Sequence, residues 1–342
     1  MTTDPLRIAV VGAGIMGADH VRRLTERTIG AQVVAVVEPD VSRAAAAVAH
    51  LPGVATRSRI EDALELDALD AVVVAAPGPF HEAVLLPSLE AGVDILCEKP
   101  LTPSSESALR VLEAEQKTDR PRIQVGFMRR FDEEYMQLKE LIDSREAGQL
   151  LALHCAHRNP FTPPGYTESM LITDSVVHEM DVVPWLVGEP IAAVEVRKPR
   201  RNSLAPEGLS EPQLVLLETE SGVLADVEIS VNIQFGYQVT TDAVFERGVA
   251  EIGRTAGISR YADGRFTRAE HTTYTTRFAR AYDTEVQRWV NAVRSGTIDG
   301  PSAWDGYLAA SVCEAGLVAQ ATGRRVEVSY APRPAFYDPT AS

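Results

Sequence analysis

The chain has 342 residues, a formal net charge of −15 and a pI near 5.0, which suits two domains and argues against nucleic acid or an anionic membrane surface as a partner. Cys97, Cys155 and Cys313 are widely spaced with no C-x-x-C, so neither a disulfide framework nor a cysteine zinc site is expected. The N-terminus from Met1 to Pro5 lacks a basic segment followed by an apolar one, and no run approaches a membrane span, so a cytoplasmic protein that does not enter a membrane is expected.

The first strand, Arg7 to Val11, runs into Gly12-Ala13-Gly14-Ile15-Met16-Gly17. This is a G-x-G-x-x-G turn between a strand and a helix. Gly12 allows the tight turn, Gly14 lets the backbone approach a pyrophosphate, and Gly17 lets the next helix pack on the sheet. The phosphates would sit at the helix N-terminus. A second apolar strand, Val33 to Val37, ends in Glu38, about 20 residues past the glycines as a dinucleotide fingerprint requires. A carboxylate there accepts hydrogen bonds from both ribose hydroxyls of NAD and repels a 2′-phosphate, so NAD is favoured over NADP. Arg43 lies close enough in sequence to blur that preference.

Helices are expected over Ser42 to His50 and Ile60 to Leu66, then a strand over Ala71 to Ala76. A helix over Phe80 to Ala91, a strand over Asp94 to Cys97, a helix over Ser104 to Lys117 and a strand over Ile123 to Phe127 follow. Strands alternating with helices imply an α/β fold, a doubly wound parallel sheet of Rossmann type over residues 1–126. Beyond it the rhythm changes. Helices over Asp132 to Asp143 and Ser175 to Leu186 flank a strand over Leu151 to His157. Strands then dominate: Ile191 to Arg197, Leu214 to Thr219, Val223 to Val231, Val239 to Phe245 and Val249 to Ile252. Helices over Arg277 to Arg294 and Ser302 to Ala321 close the chain. Residues 127–342 therefore read as a second α/β domain with an open, mainly antiparallel sheet, for substrate binding and oligomerisation.

Ligands of a doubly wound sheet bind beyond the carboxyl ends of its strands. Pro77 to His81 would flank the nicotinamide ribose or serve as a plain strand-to-helix turn. Glu98-Lys99-Pro100 follows a buried strand, where Lys99 could orient a substrate hydroxyl or stabilise a developing alkoxide; otherwise it is a surface lysine paired to Glu98. Asp174, His178 and Asp181 are spaced to share one helix face, giving a histidine braced by carboxylates that could take a hydroxyl proton. The alternative has Asp174 capping the helix and His178 as a satisfied buried histidine. His154, Cys155 and His157 are not expected to hold a metal, because strand alternation sends His154 to the opposite face. Arg158 and Asn159 at that strand's end offer polar groups to a polyol.

Several segments carry a family resemblance: GAGIMG at Gly12 to Gly17, CEKPL at Cys97 to Leu101, VGFMRRFD at Val125 to Asp132, HCAHRNP at His154 to Pro160, DSVVHEMDV at Asp174 to Val182 and GPSAWDGYLAA at Gly300 to Ala310. Nearly end to end, the chain resembles the Gfo/Idh/MocA oxidoreductases, and within them the bacterial inositol 2-dehydrogenases. The resemblance implies Lys99, Asp174 and His178 as catalytic residues. It implies Gly12, Gly14, Ile15, Met16, Gly17, Glu38, Pro77, His81, Glu98 and Lys99 about NAD. Arg129, His157, Asn159, Tyr237 and Tyr282 would lie near the polyol. A homotetramer built on the open sheet is also implied. One departure stands out: Ala76 to Glu82 reads APGPFHE, where such enzymes carry a Ser-Trp pair before the Gly-Pro. The expected function is oxidation of a ring hydroxyl of myo-inositol or a close stereoisomer, with no metal. The alternatives are another cyclic polyol or aldose with NAD(P), or a catalytically silent cofactor-sensing regulator.

Overall fold

Residues 4–254 and 257–338 are described by the computed structural model; residues 1–3 of the N-terminal stretch lie outside them. The chain divides into two compact units, one of residues 1–127, 282–310 and 331–342, the other of 128–281 and 311–330.

In the first unit, six strands pair in parallel in the order β3-β2-β1-β4-β5-β6. They are β1 (Leu6–Val11), β2 (Ala31–Val37), β3 (Ala55–Arg57), β4 (Ala71–Val74), β5 (Asp94–Glu98) and β6 (Ile123–Gly126). Helices α1 (Ile15–Glu26), α2 (Val41–Val48), α3 (Ile60–Leu64), α4 (His81–Glu90) and α5 (Ser105–Glu115) alternate with them. Every residue of β4 is fully buried, as expected of a Val-rich strand covered on both faces. The strand order reverses between β1 and β4, so the crevice beyond their carboxyl ends is the ligand position of this fold. The short edge strand β3 escapes sequence reading because Ala55-Thr56-Arg57 carries no apolar run; pairing with Ala35, Val36 and Val37 forms it.

The late part of the chain departs from the expected second domain of 127–342. Val286, Trp289, Val290 and Val293 recur at helical spacing along α9 (Ala279–Ser295) and pack into the core of Ile8, Val10, Val73 and Leu96. That amphipathic stripe finds its apolar partner on the parallel sheet, so residues 282–310 belong to the first unit.

The second unit holds α6 (Glu133–Ser144), β7 (Leu150–Arg158), α7 (Val177–Val187), β8 (Ile191–Arg197), β9 (Gln213–Thr219), β10 (Leu224–Ser230), β11 (Gln238–Phe245) and β12 (Gly248–Ile252). A hairpin of β13 (Ser259–Ala262) and β14 (Arg265–Arg268) follows, then α8 (Tyr274–Arg277), the later turns of α10 (Ala303–Thr322) and β15 (Val326–Glu327). Its seven-stranded sheet runs β12-β11-β7-β10-β9-β8-β15 and is antiparallel except where β10 pairs with β7. The hairpin lies beyond the strands expected from sequence; at its turn Asp263 and Gly264 take φ of 50° and 69°, the left-handed pair that a tight hairpin requires.

Candidate active site

The glycine turn has the shape its sequence implies. A Cβ on Gly12 would lie 2.6 Å from the Ala75 carbonyl oxygen, and one on Gly17 would lie 1.9 Å from that of Gly12. Nothing lies within 4 Å of the Cβ position at Gly14, which leaves the backbone open to a phosphate at the start of α1. Ile15 is exposed and Met16 half-buried in that first turn. Glu38 accepts the amide N–H groups of Ala13 and Asp40, each at 3.0 Å, and Arg43 Nη2 at 2.9 Å. Burial alone would raise its carboxyl; the two amides and then the guanidinium outweigh it and hold the group below the usual carboxylate range. A charged acid therefore stands at the end of β2, and the cradle fits a dinucleotide with an unmodified ribose.

The loops after β4 and β5 are tied together by His81. Its Nδ1 lies 2.8 Å from the Pro100 carbonyl and its Nε2 2.7 Å from that of Ala76, and the ring is fully buried. His81, expected beside the cofactor, thus sits between the Ala76 carbonyl after β4 and the Pro100 carbonyl next to Lys99, and a neutral ring donates to one of the two. Pro77 is exposed at the start of a short 3-10 turn. Glu98, also expected at the cofactor, is buried: Oε1 receives His20 Nε2 at 2.7 Å and Oε2 receives the Lys99 amide at 3.3 Å. The half-buried Lys99 follows it, with a cis bond to Pro100. Tyr282 is buried in this unit beneath the Arg23 guanidinium, 5.2 Å from its ring centroid, whereas the other expected polyol residues lie in the second unit.

In the second unit the end of β7 faces α7. The segment before α7 is a π-helix, Leu171–Val176, a form often found at functional sites. Asp174 thus sits inside a helical turn and is not a cap, and α7 begins at Val177 without any side-chain cap. Asp181, expected to brace His178, is engaged by Arg130 through Nε at 3.0 Å and Nη2 at 2.5 Å. His178 is buried with its ring centroid 6.3 Å from that of His157, and Tyr237 stands edge-on to His157 at 6.2 Å. Burial pushes the Tyr237 phenol above its ordinary value, so it remains a hydrogen-bond donor at neutral pH.

Arg129, expected near the polyol, is only 1% exposed. It pairs with Glu179 through Nη1, and its Nη2 lies 3.2 Å from His157 Nδ1. Glu179 Oε2 is 3.3 Å from the same nitrogen. Arg129 and Glu179 therefore both meet His157 at Nδ1. Burial opposes charge on Glu179, but Arg129 and then His157 bring its carboxyl down to about 2. Glu179 and His20 were missed by sequence reasoning; the only hints were an acid beside His178 and a histidine one turn past Gly17. Asn159 follows β7, and its Oδ1 is buried with no hydrogen-bond partner among the described residues. His154 faces outward against Asp226, away from Cys155 and His157, as strand alternation requires.

Known proteins resemble the chain over both units. The Gfo/Idh/MocA description "Oxidoreductase family, NAD-binding Rossmann fold" matches residues 6–127, and its "C-terminal alpha/beta domain" matches 139–328. An inositol 2-dehydrogenase of Corynebacterium glutamicum strain R is 60% identical over 97% of this chain and 98% of its own length. One from Leifsonia xyli subsp. xyli is 60% identical over 98% of this chain and all of its own. The crystal structure of myo-inositol dehydrogenase from Lactobacillus casei with NAD(H) and myo-inositol superposes with a TM-score of 0.94 at 35% identity, covering 97% of this chain and 99% of that one. With a parallel sheet in the fingerprint strand order, a glycine cradle ending in Glu38 and these matches in both halves, the chain belongs to the Gfo/Idh/MocA oxidoreductase family.

Proposed function

We propose that this chain is an NAD-dependent inositol 2-dehydrogenase, oxidising a ring hydroxyl of myo-inositol or a close stereoisomer to the ketone. The observation that carries the reading is 60% identity, nearly end to end, to relatives of that name. Bound NAD supplies the hydride acceptor. An aliphatic hydroxyl is a very weak acid, so hydride loss from its carbon needs a base. His178 takes that proton, Asp174 orients it, and Lys99 hydrogen-bonds the reacting oxygen. His157, Asn159 and Tyr237 hold the remaining hydroxyls. The buried, unsatisfied Oδ1 of Asn159 supports this role, because a ligand hydroxyl is the donor it lacks.

A homotetramer in the cytoplasm completes the reading. The exposed Leu214 and Leu224 on one face of the second sheet support an assembly contact, and Cys97, Cys155 and Cys313, none of them in a disulfide, suit a reducing compartment.

NADH formation across inositol isomers, pyranoses and open-chain polyols tests the function. Each unmet buried polar group costs roughly 1 to 3 kcal/mol, so myo-inositol should exceed sorbitol by two orders of magnitude or more. Turnover confined to open-chain polyols, or to aldoses, would reject inositol and leave the oxidoreductase family standing.

A further inference from the structure

We infer that Glu179, backed by Arg129, is a positioning residue that fixes the tautomer of His157: Nδ1 carries the proton and Nε2 is offered as a hydrogen-bond acceptor. The inference rests on the reading above only in taking the Nε2 side as the one that meets the polyol.

His157 Nδ1 sits between two groups of opposite kind. Glu179 Oε2 at 3.3 Å can only accept, and Arg129 Nη2 at 3.2 Å can only donate. A neutral imidazole satisfies one of them. All three side chains are at most 4% exposed, so water does not serve the loser. Glu179 uses Oε1 for Arg129 Nη1, and the hydrogen bond found for Oε2 is the one to His157. Were Nδ1 unprotonated, two lone pairs would face each other beside a buried carboxylate oxygen. The guanidinium loses less in the other arrangement. Its charge is delocalised and weakly hydrated, and it lies 5.8 Å from the Phe278 ring centroid, where the aromatic face stabilises it further. The carboxylate therefore accepts the hydrogen bond from Nδ1–H, as it also would from a protonated ring.

The consequence falls on the other side of the ring. Among the described residues the ring's hydrogen bonds are those at Nδ1, and none is found at Nε2. With Nδ1 protonated, Nε2 presents a lone pair, and a hydroxyl meeting it must donate. Glu179 thus decides, without touching ligand, that His157 reads one ring hydroxyl as a donor.

Long-range proton–nitrogen correlation spectra of histidine-labelled, ligand-free protein test this, with His157→Gln identifying the signal among seven histidines. The Nδ1–H pattern is expected for His157; an Nε2–H pattern would overturn the inference. Arg129→Lys should keep the Nδ1–H pattern, and a switch there would transfer the role to Arg129. Glu179→Gln should lose the preference and raise KM for myo-inositol at least tenfold, with Kd for NAD changed less than twofold. An unchanged tautomer and KM in that variant would also overturn it. Should no polyol be turned over at all, the proposed substrate fails, while the spectrum still decides the tautomer on the protein alone.

Discussion

His20 Nε2 lies 2.7 Å from Glu98 Oε1, with both side chains buried. The pair joins α1, three residues past Gly17, to the residue before Lys99, and the second Glu98 oxygen holds the Lys99 amide. Removing the imidazole leaves a buried carboxylate short of a donor, a loss of about 1 to 3 kcal/mol. His20→Ala should lower the thermal midpoint by several degrees and cut kcat/KM by about tenfold. Thermal melts and steady-state kinetics on the same preparation check both; an unchanged midpoint would mean that the contact contributes nothing.

Glu38 sets the cofactor. NAD should be preferred over NADP by at least about tenfold, roughly 1.4 kcal/mol, because a 2′-phosphate would meet the carboxylate at the end of β2. Glu38→Ser should erase most of that ratio, since Arg43, now paired with Glu38 at 2.9 Å, becomes available to a phosphate. Catalytic efficiencies with the two cofactors decide it, and equal values in the unaltered protein would refute the assignment.

Lys99 and His178 should act on chemistry more than on cofactor binding. Lys99→Met should reduce kcat by about a hundredfold or more, and His178→Ala by about the 10²–10⁴ expected of a lost general base. NAD titration by fluorescence should give near-normal Kd for both. Collapse of NAD affinity in Lys99→Met would mark Lys99 as a cofactor ligand instead.

Glu82 makes a pH-dependent contribution to stability. Arg110 and then Ser107 bring its carboxyl down to about 2. A depressed folded-state value means stability that is present above the unfolded value near 4.5 and lost as pH falls toward 2. Glu82→Gln should therefore be less stable than the parent at pH 7, with the gap closing between about pH 4.5 and 2. Urea titrations at several pH values measure the gap; one that stays constant would remove Glu82 from the acid response.

What the sequence determined by itself was local. The glycine turn, the Val-rich buried strands and the acid ending β2 follow from steric freedom and side-chain period, which neighbouring residues decide among themselves. Tertiary structure decided the rest. Asp181 meets Arg130 across 51 residues, a partner that its spacing from His178 does not record. Arg129 and Glu179 meet across 50 residues and reach His157 from two different elements. The same holds for His81, whose spacing fits a cofactor contact until the folded loops bring two carbonyls to its ring. The stripe on α9 predicts a buried helix without saying which sheet buries it. A buried polar group takes whichever partner packing delivers, and that geometry is set by how sheets and helices stack, which no local spacing records.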